Sequence, residues 1–238
     1  GAGDGLKTKV LLHALLDEKI DFTYKPLDIS SNALSLLKKD LTAEMYNLSV
    51  KPIHGDYFDS LKKLKNSNKR HKLILFLGSN IGNLSINEAT KFLCHLSENL
   101  NPGDGMLVGF DLKKDPRIIL SAYDDAAGVT EAFNKNLLRR INNELGANFD
   151  LNAFGHHPFY NPETGTTKSY LVSTKQQDVY LKKIGKTISF YPWESIHTEI
   201  SQKFDHKTIE QMAKDANLEI KEAYTDSKRY YSNYLFNV

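Results

Sequence analysis

The sequence predicts an α/β protein: a parallel, doubly wound sheet that carries an α+β insertion and closes with an antiparallel strand pair. Three observations support this. Short apolar runs alternate with helical patterns from Lys7 to Asp111, the rhythm that successive βα units produce. After Asp111 that rhythm gives way to one strong helix and several strand-like runs joined by short polar turns. From Glu219 to Val238, two alternating runs follow one another closely, as in an antiparallel pair.

Gly1 to Gly5 (GAGDG) form a glycine turn ahead of a helical pattern at Lys7 to Leu16, where Val10, Leu11, Ala14 and Leu15 share one face. A loop-to-helix unit of this kind points backbone N–H groups at an anion or polar ligand. Because such turns normally follow a buried strand, a central strand and an N-terminal segment are expected upstream of Gly1. Phe22 to Ile29 alternates as a strand and reaches Asp28, with Ser30 as N-cap of a helix at Asn32 to Leu41. An acid at the end of a second strand, some 20 residues past a glycine turn, suits a ribose diol, two carboxylate oxygens meeting two hydroxyls; helix capping is its plainer role. Leu48 to Ile53 reads as a third strand leading into Gly55-Asp56-Tyr57-Phe58. There an acid can bond an adenine amino group while a ring covers its face, although Gly-Asp is also ordinary turn chemistry.

Leu73 to Leu77, within LILFLGSNIGNL, reads as a strand buried on both faces. It stops at Gly78-Ser79-Asn80, and Gly82-Asn83 follow before a helix from Ser85 to Leu100. Open α/β sheets place their ligands at such strand ends. Asn101 to Gly105 is a turn before the strand Met106 to Asp111. Lys113 to Asp125 reads as a polar connection containing Tyr123, and Val129 to Leu145 as a helix with Phe133, Leu137, Leu138 and Ile141 on one face, stopped by Gly146. Phe154 to Asn161 is rich in histidine and aromatic residues, and Ser169 to Thr174, Asp178 to Ile184 and Thr187 to Tyr191 are strand-like. A helix at His206 to Ala216 and strands at Glu219 to Tyr224 and Tyr230 to Val238 close the chain. The expected division is therefore 1–112 with 203–238 as the sheet domain and 113–202 as the insertion.

With 238 residues and 40% hydrophobic content the chain can fill a proper core. Thirty-one Lys and Arg against 29 Asp and Glu leave a formal charge of +2. The basic residues are scattered, so nucleic acid is not the expected partner. The densest basic run, Lys62 to Lys72, reads as a solvated loop because Asn and Ser interleave it. The single Cys94, among Phe92, Leu93 and Leu96, reads as a buried small hydrophobe in a reducing compartment. No apolar run approaches the roughly 20 residues of a membrane span. A cytoplasmic monomer acting on a small molecule, without membrane or metal, is expected; His156-His157 lack an evident third ligand.

The glycine turn, Asp28, Gly-Asp-aromatic and Gly78 to Asn83 together describe a nucleotide or nucleoside site. A terminal antiparallel pair after a parallel sheet favours S-adenosylmethionine methyltransferases over dinucleotide dehydrogenases. GAGDGLKT, PLDIS, GDYF, FLGSNIGN, AYDDAAGVTEAFNKNLL and IHTEIS, in this order across essentially the whole chain, resemble the histidine-specific methyltransferase family. The resemblance implies an enzyme that uses S-adenosyl-L-methionine, releases S-adenosyl-L-homocysteine, and trimethylates the α-amino group of histidine to hercynine on the way to ergothioneine. It implies a Rossmann-like methyltransferase domain and a substrate domain containing the insertion. By the same resemblance Gly1, Gly3 and Lys7 belong to the first cofactor motif, Asp28 grips the ribose, and Asp56 and Tyr57 lie at the adenine. Gly78 and Asn83 lie in the family's FxGSxIGN motif, with Asn83 at the substrate amine, Tyr123 at its carboxylate, and Glu199 and Ser201 at its imidazole.

Lys168-Ser169-Tyr170-Leu171 departs from the family's Glu-Met-basic-Leu run, so Ser169 stands where a methionine lines the imidazole pocket. A larger or more polar pocket follows, which leaves open another amino acid, an indole or an amine as acceptor. A cofactor-binding protein without catalysis is the non-enzymatic alternative.

Overall fold

The structure, a computed structural model, describes residues 2–67 and 70–238. In chain order its elements are α1 (Leu6–Asp17), β1 (Leu27–Asp28), α2 (Ser31–Glu44), β2 (Ile53–His54), α3 (Tyr57–Ser67), β3 (Leu73–Phe76), α4 (Ile86–Glu98) and β4 (Gly105–Asp111). There follow α5 (Pro116–Tyr123), α6 (Val129–Leu145), β5 (Phe154–Asn161), β6 (Thr166–Ser173), β7 (Gln177–Leu181), β8 (Lys186–Phe190), β9 (Ser195–Gln202), α7 (His206–Asp215), β10 (Glu219–Thr225) and β11 (Tyr231–Asn237).

The four-stranded sheet runs β10-β11-β4-β3, with β3 parallel to β4 and β11 antiparallel to both of its neighbours. Its central strand β4 is a nearly continuous apolar run because Met106, Val108 and Phe110 are all fully buried. They pack with Phe92, Leu93 and Leu96 of α4, Ile209 and Met212 of α7, and Phe236 of β11. Burying each such side chain contributes roughly 1.5–3 kcal/mol. The helix α4 begins where it does because Ser85 and Glu88 form a reciprocal capping box. β1 and β2 make a separate parallel pair, Leu27 opposite Ile53 and Asp28 opposite His54, and the segments leading into them join Leu12, Leu37 and Leu41 through Tyr24 and Val50.

A second layer consists of the antiparallel sheet β5-β6-β9 and the hairpin β7-β8. Leu138 of α6, Phe154, Leu171 and Phe190 fill its core. The two layers meet where β9 passes into α7: Phe204 N–H donates to Asp111 O at 2.9 Å, and Lys113 N–H to Phe204 O at 2.8 Å.

Several elements differ from the sequence expectation. The strand expected at Phe22 to Ile29 is reduced to Leu27–Asp28 plus an isolated bridge at Tyr24–Val50, since Pro26 has no N–H to continue the ladder. β3 is not buried on both faces: it is the last strand of its sheet among the described residues, and Leu73 is 48% exposed. The supposed solvated loop from Lys62 is largely helix α3. Lys72 at its end is held at 2.8 Å by the buried Asp104; Asn68 and Lys69 lie outside the described residues. The connection Lys113 to Asp125 contains α5, started by an Asp115 cap with Pro116 at its first position. Cys94 is only half-buried, its Sγ 3.5 Å from Asp215 O. Phe133 and Leu137 do not join Leu138 in the core: they are 69% and 38% exposed.

Tyr231 crosses β4 above Gly109, where a Cβ would lie 1.7 Å from the phenol oxygen. That oxygen accepts from Gly78 N–H at 3.1 Å. Gly109→Ala is therefore expected to cost about 1–3 kcal/mol of stability, and distinctly less in a Tyr231→Ala background. Urea unfolding of the four proteins checks this; simple additivity would mean that the crowding lies elsewhere.

Candidate functional site

The carboxyl ends of β1, β2 and β3 carry one group of predicted residues. β1 ends in Asp28, whose Oδ2 accepts from Ala2 N–H at 2.9 Å and whose Oδ1 accepts from Ser30 N–H at 2.9 Å. Burial would raise the Asp28 pKa, but the bonds from Ser30 and Ala2 outweigh it and hold the carboxyl below its ordinary value. Asp28 thus fastens the glycine turn to β1 while remaining an anion, and each oxygen keeps a lone pair for a further donor. In that turn Gly3 and Gly5 have φ of 57° and 70°, conformations that favour glycine. Gly5 starts α1, and a Cβ there would strike Leu37 Cδ1 at 2.7 Å. Gly1 lies outside the described residues.

Past β2, Asp56 Oδ1 accepts from Asp59 N–H at 3.1 Å and so caps α3. Tyr57, in the first turn of α3, sets its ring edge-on to Phe76 and Phe92, with centroids 6.1 and 6.3 Å away. Burial, followed by the negative charge of Asp28, pushes its phenol pKa up, so Tyr57 and Asp28 share one neighbourhood. Lys7 joins them from α1: a Cβ on Gly78 would lie 3.4 Å from Lys7 Nζ. With φ +79°, Gly78 is where β3 turns away from the sheet. Lys7, Asp28, Tyr57 and Gly78 thereby surround the strand ends, the place where open α/β sheets bind ligands.

The second group lies across the junction of the layers. Asn80–Asn83 form a 3-10 turn that follows Ser79 at φ 63°. Gly82 is buried against β9, so closely that a Cβ would come within 2.9 Å of Gln202 O. The turn holds Asn83 at an open cleft of about 450 Å³ that is also lined by Glu199, Thr198, Phe133 and Leu137. An adjoining cavity of about 400 Å³ is lined by Tyr123, Asp111, Phe133 and again Glu199. Asn83, Tyr123 and Glu199 therefore converge, and the exposed Phe133 and Leu137 form an apolar wall between them. That wall explains why half of the expected core face of α6 is left in solvent.

Asp125 fixes the start of α6 by accepting from Val129 N–H at 2.9 Å and Thr130 N–H at 2.8 Å. Its bonds to Thr130 and Val129 lower its pKa to about 2. Ser201 lies two residues beyond Glu199 and is buried. In the register of β6 and β9, Ser169 stands opposite Glu199 and Thr167 opposite Ser201, so all four side chains share a face. Ser169 Oγ, Thr167 Oγ1 and His156 Nε2 are buried there without a hydrogen-bond partner. His157 points the other way and is exposed.

Sequence reasoning missed Lys203 and Asp111. Lys203 is 2% exposed. Its Nζ donates to Tyr123 Oη at 2.7 Å and Ser201 Oγ at 2.8 Å, and pairs with Asp111 Oδ2 at 2.8 Å. The alternation Glu199, Ser201, Lys203 along one strand face was the available signal.

A family model described as histidine-specific, S-adenosylmethionine-dependent methyltransferase matches residues 1–238. The chain is 35% identical over 226 residues to a histidine N-alpha-methyltransferase of Mycolicibacterium smegmatis, covering 95% of this chain and 70% of that one. It is 34% identical over 209 residues to a protein of the same name from Mycobacterium tuberculosis, covering 88% and 64%. It thus spans about two thirds of the length of these relatives. Among solved structures, a mitomycin 7-O-methyltransferase aligns over 100% of this chain and 47% of its own, with a TM-score of 0.50 and 10% identity, a likeness of fold alone.

Gly82→Ala should force the turn and β9 apart. The expected result is a loss of about 1–3 kcal/mol in urea unfolding, together with weaker binding of any ligand that spans Asn83 and Glu199. Wild-type stability and binding in this variant would show that the close approach is unimportant.

Proposed function

The chain belongs to the histidine-specific, S-adenosylmethionine-dependent methyltransferase family, and on that premise we propose that it methylates the α-amino group of histidine, forming hercynine, at the junction of the two sheets. The observation that carries this reading is that the cleft lined by Asn83 and the adjoining cavity lined by Tyr123 share Glu199 and Phe133, while Lys7, Asp28 and Tyr57 gather at the strand ends of the first sheet. We assign the residues 1–112 and 203–238 to the methyltransferase domain and 113–202 to the substrate-binding insertion.

The residues around the strand ends fit the methyl donor. Asp28 is an anion with lone pairs to spare for a ribose diol, Tyr57 offers a ring at the adenine side with Asp56 beside it, and Lys7 at Gly78 offers a cation to the amino-acid carboxylate. Gly1 and Gly3 belong to the cofactor motif in this reading. When bound, S-adenosylmethionine supplies an electrophilic methyl group on a sulfonium. Displacement at such a carbon needs a neutral amine lone pair in line behind it and little water nearby. Asn83 meets the first need: its amide oxygen accepts one amine N–H and aims the lone pair without acting as a strong base. Phe133 and Leu137 serve the second by presenting apolar surface at the cleft. Tyr123 donates its hydroxyl to the substrate carboxylate, Glu199 accepts an imidazole N–H, and Ser201 serves the other ring nitrogen.

A second reading keeps the reaction and changes the acceptor to another amino acid, an indole or an amine. It is favoured by the unpartnered hydroxyls of Ser169 and Thr167 behind Glu199 and Ser201, which add polar room to the ring pocket. A cytoplasmic setting accords with the single, unpaired Cys94, and among the described residues no helix is long and apolar enough to cross a membrane.

Calorimetric titration with histidine, tryptophan and other amino acids in the presence of S-adenosylhomocysteine distinguishes the two readings. Histidine is expected to bind most tightly, and its failure to bind would sink the first. Asn83→Ala is expected to lower kcat by about 100-fold, the scale of a misplaced reacting group, with cofactor affinity changed by no more than about twofold. An equal loss of cofactor binding would place Asn83 in the wrong half of the site.

A further inference from the structure

We propose that Lys203 is the positioning residue of the acceptor site: its ammonium turns the hydroxyl protons of Tyr123 and Ser201 away from the protein and toward the bound molecule, making both side chains donors to it. This rests on the reading that these two hydroxyls touch the acceptor.

An ammonium group has three N–H donors and no lone pair. Lys203 commits all three, to Tyr123 Oη, Ser201 Oγ and Asp111 Oδ2, at 2.7, 2.8 and 2.8 Å. Each hydroxyl oxygen is thus an acceptor toward Lys203, and its own proton must point elsewhere. Neither proton has a protein acceptor among the described residues: the bonds to Lys203 are the only ones these two oxygens make. Tyr123 lines the cavity of about 400 Å³, and Ser201 Oγ lies 3.7 Å from where a Gly82 Cβ would stand, beside the turn that carries Asn83. Without the lysine, Asp111 would become the nearest strong acceptor and compete for the hydroxyl protons.

Asp111 is itself held in place. Its Oδ1 takes Lys114 Nζ at 2.6 Å while its Oδ2 takes Lys203, so the cluster of two lysines and one carboxylate carries a net positive charge. Lys113 beside it is balanced by Asp205 at 2.9 Å. An acceptor carboxylate at Tyr123 therefore meets a hydroxyl polarised by the ammonium behind it, a chain in which each bond strengthens the next by about 10–30%. Burial favours the neutral amine, but Tyr123 and Asp111 outweigh it and raise the Lys203 pKa above its ordinary value, which keeps the charge in place at working pH. As a stability device alone, a buried ammonium is a poor choice, because desolvation consumes much of what the pair returns.

The test is a double-mutant cycle on the full chain with Lys203→Met, Tyr123→Phe and both together. Dissociation constants are measured by calorimetry for histidine and for histamine, which lacks the carboxylate, with S-adenosylhomocysteine present. Lys203→Met is expected to weaken histidine binding by about 10- to 100-fold, the scale of a hydrogen bond to a charged group, and histamine binding far less. In the Tyr123→Phe background, the added loss for histidine should shrink to the smaller loss that histamine shows, the part carried by Ser201. Equal weakening of both ligands, or losses that simply multiply, would overturn the proposal and leave Lys203 as a structural ion pair. Should Lys203→Met not fold, Asp111→Asn combined with Lys203→Gln removes both charges together and is read in the same way. Absence of histidine binding in the wild type would overturn the acceptor reading and this inference with it, whereas histidine binding without coupling would overturn this inference alone.

Discussion

The close approach of the Asn80–Asn83 turn to β9 is the contact on which the rest of the molecule depends. Only glycine at position 82 permits it, since a single added carbon would stand 2.9 Å from Gln202 O. That approach brings Asn83, carried by the first sheet, to the cleft that Glu199 lines from the second. It is reinforced a few residues on by the backbone bonds between Asp111, Phe204 and Lys113. Each layer has its own apolar cluster, and that of the first reaches the junction through Leu112 and Phe204.

Much of the fold was legible because it is written in local patterns. The α6 boundaries, Val129 to Leu145, follow from helical periodicity and a glycine stop, and Gly146 does take a φ of 62°. The closing antiparallel pair follows from alternation alone. What was missed depends on distant partners. Lys72 looks solvated in a basic run, and only the fold brings Asp104 to it. The exposure of Leu73 reflects the strand order of the sheet, which no residue in LILFLG encodes. Helix α5 is a different kind of miss: Asp115-Pro116 is a legible start signal, obscured by the charged residues around it.

The site was legible in the same uneven way. Asp28, Gly78, Asn83 and Glu199 stand in short motifs with a recognisable chemistry, and the structure draws the first two together at the strand ends and the last two at the cleft. Lys203 carries no such motif. Lysine is ordinarily a surface residue, and its burial here is decided by Asp111, 92 positions earlier in the chain, and Tyr123, 80 positions earlier. Phe133 and Leu137 mislead for a related reason: helical periodicity identifies an apolar stripe but cannot tell a core from the wall of a cleft.

The polar groups in the second sheet bear on how specificity is set. Leaving a buried hydroxyl unpaired costs about 1–3 kcal/mol, and Ser169 and Thr167 both do so on the face they share with Glu199 and Ser201. That cost is borne by a layer whose apolar core is complete without them, with Leu138, Phe154 and Leu171 packed beyond the polar row. Substitution at 169 or 167 therefore changes the polar face shared with Glu199 and Ser201, the face that the proposed reading turns to the acceptor's ring. In the proposed reading, the groups assigned to an acceptor's ring, Glu199 and Ser201, lie on β9 and the one assigned to its amine, Asn83, on the turn after β3, so the ring pocket can be altered while the transfer geometry stays fixed.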